Sequence, residues 1–266
     1  MRALAGASAL VLLLACAARA AAPFPPDSPP DRTLLDDTTN VPLIEADVKP
    51  LKGSGWVRQS ASLLYYDAGG NLALELPLRT EDDGSGTVRE RLGGAAPNGR
   101  FAWTLERTTA WNADRSKALS KSSALRFFGD DGKELWQLPN AGSPEKGEPV
   151  SFSANGETLL VAARSPSGWT VSIKSYLGAT IMDVGPLPQL QLMTITPSGK
   201  YAMIRWTVPD QSATNTFVEV ATKRRQDIPS SRFSWTTPRV DDDGKVYAGK
   251  RLVFDFGAAP APKPAP

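Results

Sequence analysis

The sequence predicts an all-β fold built from repeated four-stranded units, and three observations predict it. First, a turn of small or polar residues ending in Gly leads into an apolar strand four times. The copies are Ala96-Pro97-Asn98-Gly99, Ser153-Ala154-Asn155-Gly156, Thr196-Pro197-Ser198-Gly199 and Asp241-Asp242-Asp243-Gly244. Second, strand–turn–strand patterns lie between these turns. Third, the body carries no stretch with helical hydrophobic periodicity. Pro (23) and Gly (22) are plentiful and dispersed, as a turn-rich all-β chain requires.

The hairpins follow in order. Leu63–Tyr66 turns at Asp67–Gly70 into Leu72–Leu76, and Leu125–Phe128 turns at Asp130–Gly132 into Glu134–Leu138. Thr170–Lys174 turns near Gly178 into Thr180–Val184, and Phe217–Val220 turns at Lys223–Arg225 into Gln226–Ile228. β-branched and aromatic residues, two-residue alternation and Gly/Asp turns are hairpin chemistry. The recurring glycines lie 57, 43 and 45 residues apart. Four short strands per unit of that length is the spacing of propeller blades, so the expected fold is a β-propeller of about five four-stranded blades. The run Arg251–Phe256 lacks a following partner strand. The orphan apolar piece Val41–Ile44 is expected to complete the last blade and close the ring. Deleting residues 34–48 is then expected to lower the thermal midpoint sharply.

At Val150–Ala163 and Met193–Trp206 the chain resembles the bacterial WD40-like, TolB-type β-propeller repeat, in which an apolar strand, a Ser-Pro-Asp-Gly-like turn and a second apolar strand recur. The resemblance extends over most of residues 60–256, although no copy here reads Ser-Pro-Asp-Gly and no Trp-Asp pair ends a blade. It implies the fold and leaves function open.

The ends of the chain read differently. Residues 1–20 have one charge, Arg2, before an apolar run too short to span a bilayer, the pattern of a secretory signal. Two endings compete: Ala18-Arg19-Ala20 is an A-x-A cleavage site, and Leu13-Leu14-Ala15-Cys16 resembles a lipoprotein box that would acylate Cys16. Residues 21–40 are a linker, Pro-rich in its first part, 41–257 the folded body, and 258–266 an Ala/Pro tail. Cleavage after Ala20 removes Arg2 and Arg19 and leaves a formal charge of zero; cleavage before Cys16 leaves +1. A nearly neutral mature chain has no general attraction to nucleic acid or to an anionic membrane, so membrane contact is expected only through a lipid anchor. Cys16 is the single cysteine, so no intramolecular disulfide staples the body.

The residue inventory narrows the chemistry. The chain has no His, which excludes a Ser-His-Asp triad and imidazole metal sites. No phosphate-binding or dinucleotide-binding glycine pattern is present, so no cofactor and no metal site are expected. Asp241–Asp243 are adjacent carboxylates, whereas calcium loops space their ligands at alternate positions; these residues and Lys223–Arg225 read as solvated turns.

Carboxylate-only catalysis survives as an alternative, with Glu81, Asp82, Asp83, Glu145, Glu148, Asp183 and Asp210 as candidates for a glycosidase pair. Glu148 stands at the mouth of an inner strand.

The alternating strand directions place the short turns at one end of the blades. Five longer connections fall at the other: Arg79–Arg91, Thr108–Ser123, Pro139–Glu148, Ser165–Gly168 and Pro209–Thr214. Recognition usually resides in such loops. Trp111 beside Arg115 and Lys117 is the leading candidate contact surface, with Glu148 and Trp169 added; the alternative is a tolerated loop with Trp111 folded back on a blade. Trp103, Trp136 and Trp206 sit within strand patterns and read as packing, and Trp235 lies near a strand start. The expected function is an exported, non-catalytic propeller that binds a protein or glycan of the bacterial envelope. A carboxylate-dependent glycoside hydrolase and a purely structural envelope protein are the alternatives.

Overall fold

The computed structural model describes residues 55–258, except 60, 68, 210, 234 and 235. Val41–Ile44, Cys16, Asp210 and Trp235 lie outside the described residues, as do both termini.

Five antiparallel sheets follow one another along the chain. The first is the meander β1 (Trp56–Gln59), β2 (Ser62–Tyr66) and β3 (Leu72–Pro77). The second runs β4 (Thr80–Asp82), β5 (Thr87–Ala95), β6 (Phe101–Trp111), β7 (Ala118–Gly129) and β8 (Glu134–Pro139). The third contains β9 (Ala141–Gly142), β10 (Val150–Phe152), β11 (Thr158–Ser165), β12 (Gly168–Ser175) and β13 (Thr180–Leu187), with β9 paired to the far end of β11. The fourth is β14 (Gln189–Ile195), β15 (Tyr201–Thr207), β16 (Thr214–Glu219) and β17 (Arg224–Pro229). A 3-10 turn, Ser230–Phe233, leads to the fifth: β18 (Pro238–Val240), β19 (Lys245–Ala248) and β20 (Arg251–Asp255).

The apolar runs are long because the middle sheets are buried on both faces. Successive side chains of a strand point to opposite faces, and here each face meets a different neighbour. On β6, Phe101, Trp103 and Leu105 pack toward the third sheet, while Ala102 packs toward the first. On β11, Leu159 and Val161 face the second sheet, and Leu160 and Ala162 face the fourth. On β15, Ala202 and Ile204 pack back on the third sheet, and Met203 packs on the fifth. This is blade-on-blade packing, as a propeller requires, with one core cluster at each of the four successive interfaces. Among the described residues no core cluster joins the fifth sheet to the first.

The repeated turn has one geometry in all four copies. Gly99, Gly156, Gly199 and Gly244 have φ of 67°, 69°, 73° and 80°. Each donates its N–H to the carbonyl three residues earlier, at 2.9, 2.9, 2.9 and 3.1 Å. A type I turn closed by a left-handed residue selects Gly there, because a Cβ would be strained. The turn always joins the first strand of a blade to its second. The hairpins at Asp67–Gly70, Gly129–Gly132 and Ser175–Gly178 join the third to the fourth. By this register the first sheet holds the second to fourth strands of a blade, and the fifth sheet the first to third.

The turns also bind the blades to one another. Val57 N–H donates to Gly99 O at 2.6 Å, Ala154 N–H to Pro197 O at 2.7 Å, and Ser198 N–H to Asp242 Oδ1 at 3.0 Å. The Asn98 side-chain amide donates to Asn155 O. One such link spans each interface from the first sheet to the fifth. Two turns read as solvated, whose side chains are exposed or half-buried, also take part in these contacts. Burial raises the Asp242 carboxyl, but the hydrogen bonds from Ser198 outweigh it and hold the group below the usual carboxylate range. Arg224, in the basic run, donates to Phe256 O and lies 4.8 Å from the Phe256 ring centroid. Both residues fasten the fifth sheet to the fourth.

The expected long loops are corrected. Thr108–Ser123 is strand except for residues 112–117, and Arg79–Arg91 contains β4 and the start of β5. Pro139–Glu148 contains β9, and Ser165–Gly168 is a tight link between β11 and β12. A ribbon with both faces near solvent carries Thr, Ser and charges on both sides, so its sequence lacks the apolar alternation of a half-buried strand.

Candidate functional site

The sequence of β5 sets the centre of the site. Glu90-Arg91-Leu92-Gly93 runs from the solvated ribbon into the blade, so charged and apolar side chains line one cleft. The cleft has a volume of about 590 Å³ and is walled by the second sheet, by Gln59 at the end of β1 and by the connections that lead into β4 and β10. Gln59 and Leu78-Arg79-Thr80 form one wall, and Ser143 and Gly147-Glu148-Pro149 the other; Leu92, Gly93 and buried Trp103 lie between. Gly93 is required by close approach: a Cβ there would lie 2.7 Å from Leu78 Cδ2 and 2.9 Å from Trp103 O.

The charges of the cleft are mostly held in place. Arg91 Nε donates to Glu106 Oε1 at 2.9 Å, and its Nη1 to Pro77 O at 3.4 Å. Arg107 reaches in from β6, donating from Nη1 to Glu90 Oε2 at 3.1 Å and from Nη2 to Ser143 Oγ at 2.9 Å. Arg107 thus ties the ribbon to the loop of the third blade. Arg79 pairs with Glu81 at 2.7 Å, an exposed contact worth little to stability.

Glu148 differs from these groups. Burial pushes its carboxyl above the ordinary value, and no cation pairs with it among the described residues, although the side chain still opens to solvent. A folded-state pKa above the unfolded one means that the proton favours the folded protein. The resulting stability is present below the unfolded pKa and is lost as pH rises through the folded pKa. Glu148→Gln is therefore expected to raise the thermal midpoint at pH 7 and to have a smaller effect at pH 3. Equal shifts at both pH values would remove burial as the cause.

The five residues singled out in the sequence do not form one cluster. Glu148 lines the cleft. Trp111, Arg115 and Lys117 stand at the tip of the β6–β7 ribbon. Arg115, at φ 58°, does not stack on Trp111; it makes a bidentate pair with Asp82 at 2.5 and 2.9 Å. That pair draws the Asp82 carboxyl below its usual range. Trp111 is half-buried, and its backbone N–H donates to Gly86 O at 2.8 Å. Trp169 lies against Gly142, where a Cβ would come within 2.6 Å of its ring, and packs on the core between the third and fourth sheets. Trp136 stacks on Phe127 at 4.8 Å, and Trp206 donates to Thr216 Oγ1 at 3.0 Å.

Among the candidate acids, Asp83 caps its own turn through Ser85, Glu145 receives the Gln189 amide, and Asp183 accepts from Ser172 Oγ at 2.6 Å. Of those described, Glu148 alone lines the cleft. The cleft residues missed in the sequence are Gln59, Arg79, Glu90, Arg91 and the anchoring Arg107. The one local signal was the Arg89-Glu90-Arg91 run ahead of Gly93-Gly94. No group of three or more His, Cys, Asp and Glu side chains suited to a metal occurs among the described residues. No helix there is long and apolar enough to cross a membrane.

No family model and no curated protein matches the chain. Among solved structures it is similar to the β-propeller domain of the Trilobed protease from Pyrococcus furiosus, with 8% identity over 54% of this chain and 43% of that one, at a TM-score of 0.37. It is similar also to Kuenenia stuttgartiensis hydrazine synthase, with 13% identity over 78% and 76% of the two chains and a TM-score of 0.36. A third is TolB from Acinetobacter baumannii, with 8% identity over 74% and 58% and a TM-score of 0.32. The chain therefore spans less than half the length of the first and well under two thirds of the last.

Proposed function

We propose that this protein is an exported, non-catalytic β-propeller that binds a protein or glycan partner in the bacterial envelope through the end of the blades that carries the cleft. One observation carries the reading: the cleft of about 590 Å³ gathers residues of β1, the second sheet and the connections into β4 and β10. Its arginines are already oriented by Glu106, Pro77, Glu90 and Ser143. Side chains held by such contacts lose little freedom on binding, which favours recognition. The unpaired Glu148 offers a carboxylate to donors on a partner.

Two experiments test this. A photo-crosslinking residue at Arg79 is expected to give discrete adducts with envelope protein or glycan in intact cells, and one at Leu177, exposed on the turn after β12, none. Equal yields from both positions, or none from Arg79, would refute the site. The intact mass of the mature protein tests export. A start at Cys16 with acyl groups makes it a tethered lipoprotein, a start at Ala21 a free exported protein, and an uncleaved mass removes the export reading.

A second reading rests on Glu90 and Glu148 lining the same cleft, with Glu148 raised as a general acid would be. Hydrolysis of aryl glycosides that disappears in Glu148→Gln would establish it. Absence of turnover across the panel leaves the binding role.

A further inference from the structure

The ribbon of the second sheet leaves a strand edge uncovered. β8 pairs with β7 only from Ala124 onward, opposite Pro139. The preceding residues of β7, Ala118–Ser123, extend past it for about 20 Å at the usual rise per residue. Ser123 C=O accepts from Asn140 N–H at 2.8 Å on the outer side. Hydrogen-bonding direction alternates along a strand, so the N–H and C=O of Lys121 also face outward, and neither meets a partner among the described residues. Leu119 is 66% exposed on the same stretch.

Among the acids near this edge, Asp82 pairs with Arg115 and Glu90 with Arg107, while Asp114 accepts from Ser116 and keeps its charge. Lys117 and Lys121 are exposed and form no ion pair among the described residues. We propose that the Ala118–Ser122 edge, short of the Ser123 position that Asn140 covers, is a second binding site, separate from the cleft, which takes an extended acidic peptide of a partner protein as an added strand. Main-chain hydrogen bonds to Lys121 would hold the peptide, and its carboxylates would meet Lys117 and Lys121. A second copy of this chain is disfavoured as occupant. The antiparallel hydrogen-bonding registers of two such edges set Lys121 either opposite Lys121 (with Leu119 opposite Ser123) or diagonal to it on the same face (with Leu119 opposite Lys121), and like charges that close repel.

The probes are two labelled peptides, one alternating Glu and Val and one alternating Lys and Val, titrated against the full chain by fluorescence polarisation. The Glu peptide is expected to bind at least tenfold more tightly than the Lys peptide and to slow exchange of the Lys121 amide. Lys121→Pro removes an outward N–H without touching the β6 pairing, and proline is tolerated on strand edges. It is expected to weaken the Glu peptide at least tenfold with a thermal midpoint near that of the parent. Lys121→Glu, which keeps the backbone donor, is expected to reverse the peptide preference. Equal binding to Lys121→Pro, or binding of neither peptide, overturns the proposal. So does a Lys121 amide already protected in the free protein, which would mean that the chain's own terminal segment occupies the edge. A concentration-dependent dimer lost in Lys121→Pro would assign the edge to a second copy. The Arg79 crosslinks read the cleft and do not depend on Lys121, so failure of one site is distinguishable from failure of the other.

Discussion

Phe127→Ala is expected to lower the unfolding free energy by about 3–5 kcal/mol, the usual loss for truncating a fully buried aromatic. Phe127 is 0% exposed and sits at the centre of the core between the second and third sheets. Trp136 stacks on it at 4.8 Å and 13°, Phe101 at 5.8 Å, and Phe152 lies tilted at 5.9 Å. Three rings from β8, β6 and β10 thus converge on one side chain of β7, and its removal leaves a cavity that none of them can fill without leaving its own strand. Denaturant unfolding followed by tryptophan fluorescence measures the effect. Leu177→Ala, at a side chain 65% exposed, is the control and should stay within about 0.5 kcal/mol of the parent. A loss below about 1 kcal/mol at Phe127 would show that the interface core can relax around the gap.

Asn98→Leu, which keeps the branched skeleton but not the polar atoms, is expected to cost about 1–3 kcal/mol. Asn98 is 2% exposed. Its amide donates to Asn155 O across the interface, and its Oδ1 accepts Arg100 N–H at 3.0 Å within its own turn. Leucine leaves a donor and an acceptor without these partners in a place with little water. The acceptor is the main chain of residue 155, so Asn155→Ala keeps that bond and should cost less. If the two variants lost the same amount, the inter-blade bond would not be the source of the stability.

These two sites also show how differently the fold was legible. The Asn98 turn could be read locally. Its type depends on a left-handed Gly and on a carbonyl three residues back, so four copies of the pattern announced four copies of the geometry. Phe127 read as a strand residue, but its partners come from three other strands and only packing brings them together. The same division holds in the cleft. Glu148 was singled out from its place before an inner strand, whereas Gln59, Arg79, Glu90 and Arg91 come from separate segments with no shared local motif. Arg115 was grouped with Trp111 by proximity in the chain; the ribbon instead turned it toward Asp82, 33 residues earlier.

The sequence by itself determined the repeated glycine turns and the hairpins, because each rests on interactions within a few residues. Tertiary structure decided which face of each strand meets which neighbour, how far the β6–β7 ribbon extends, and that Asp242 and Arg224 also fasten blades. It also decided the cleft. These depend on groups that lie tens of residues apart in the chain and meet only once one blade is packed against the next.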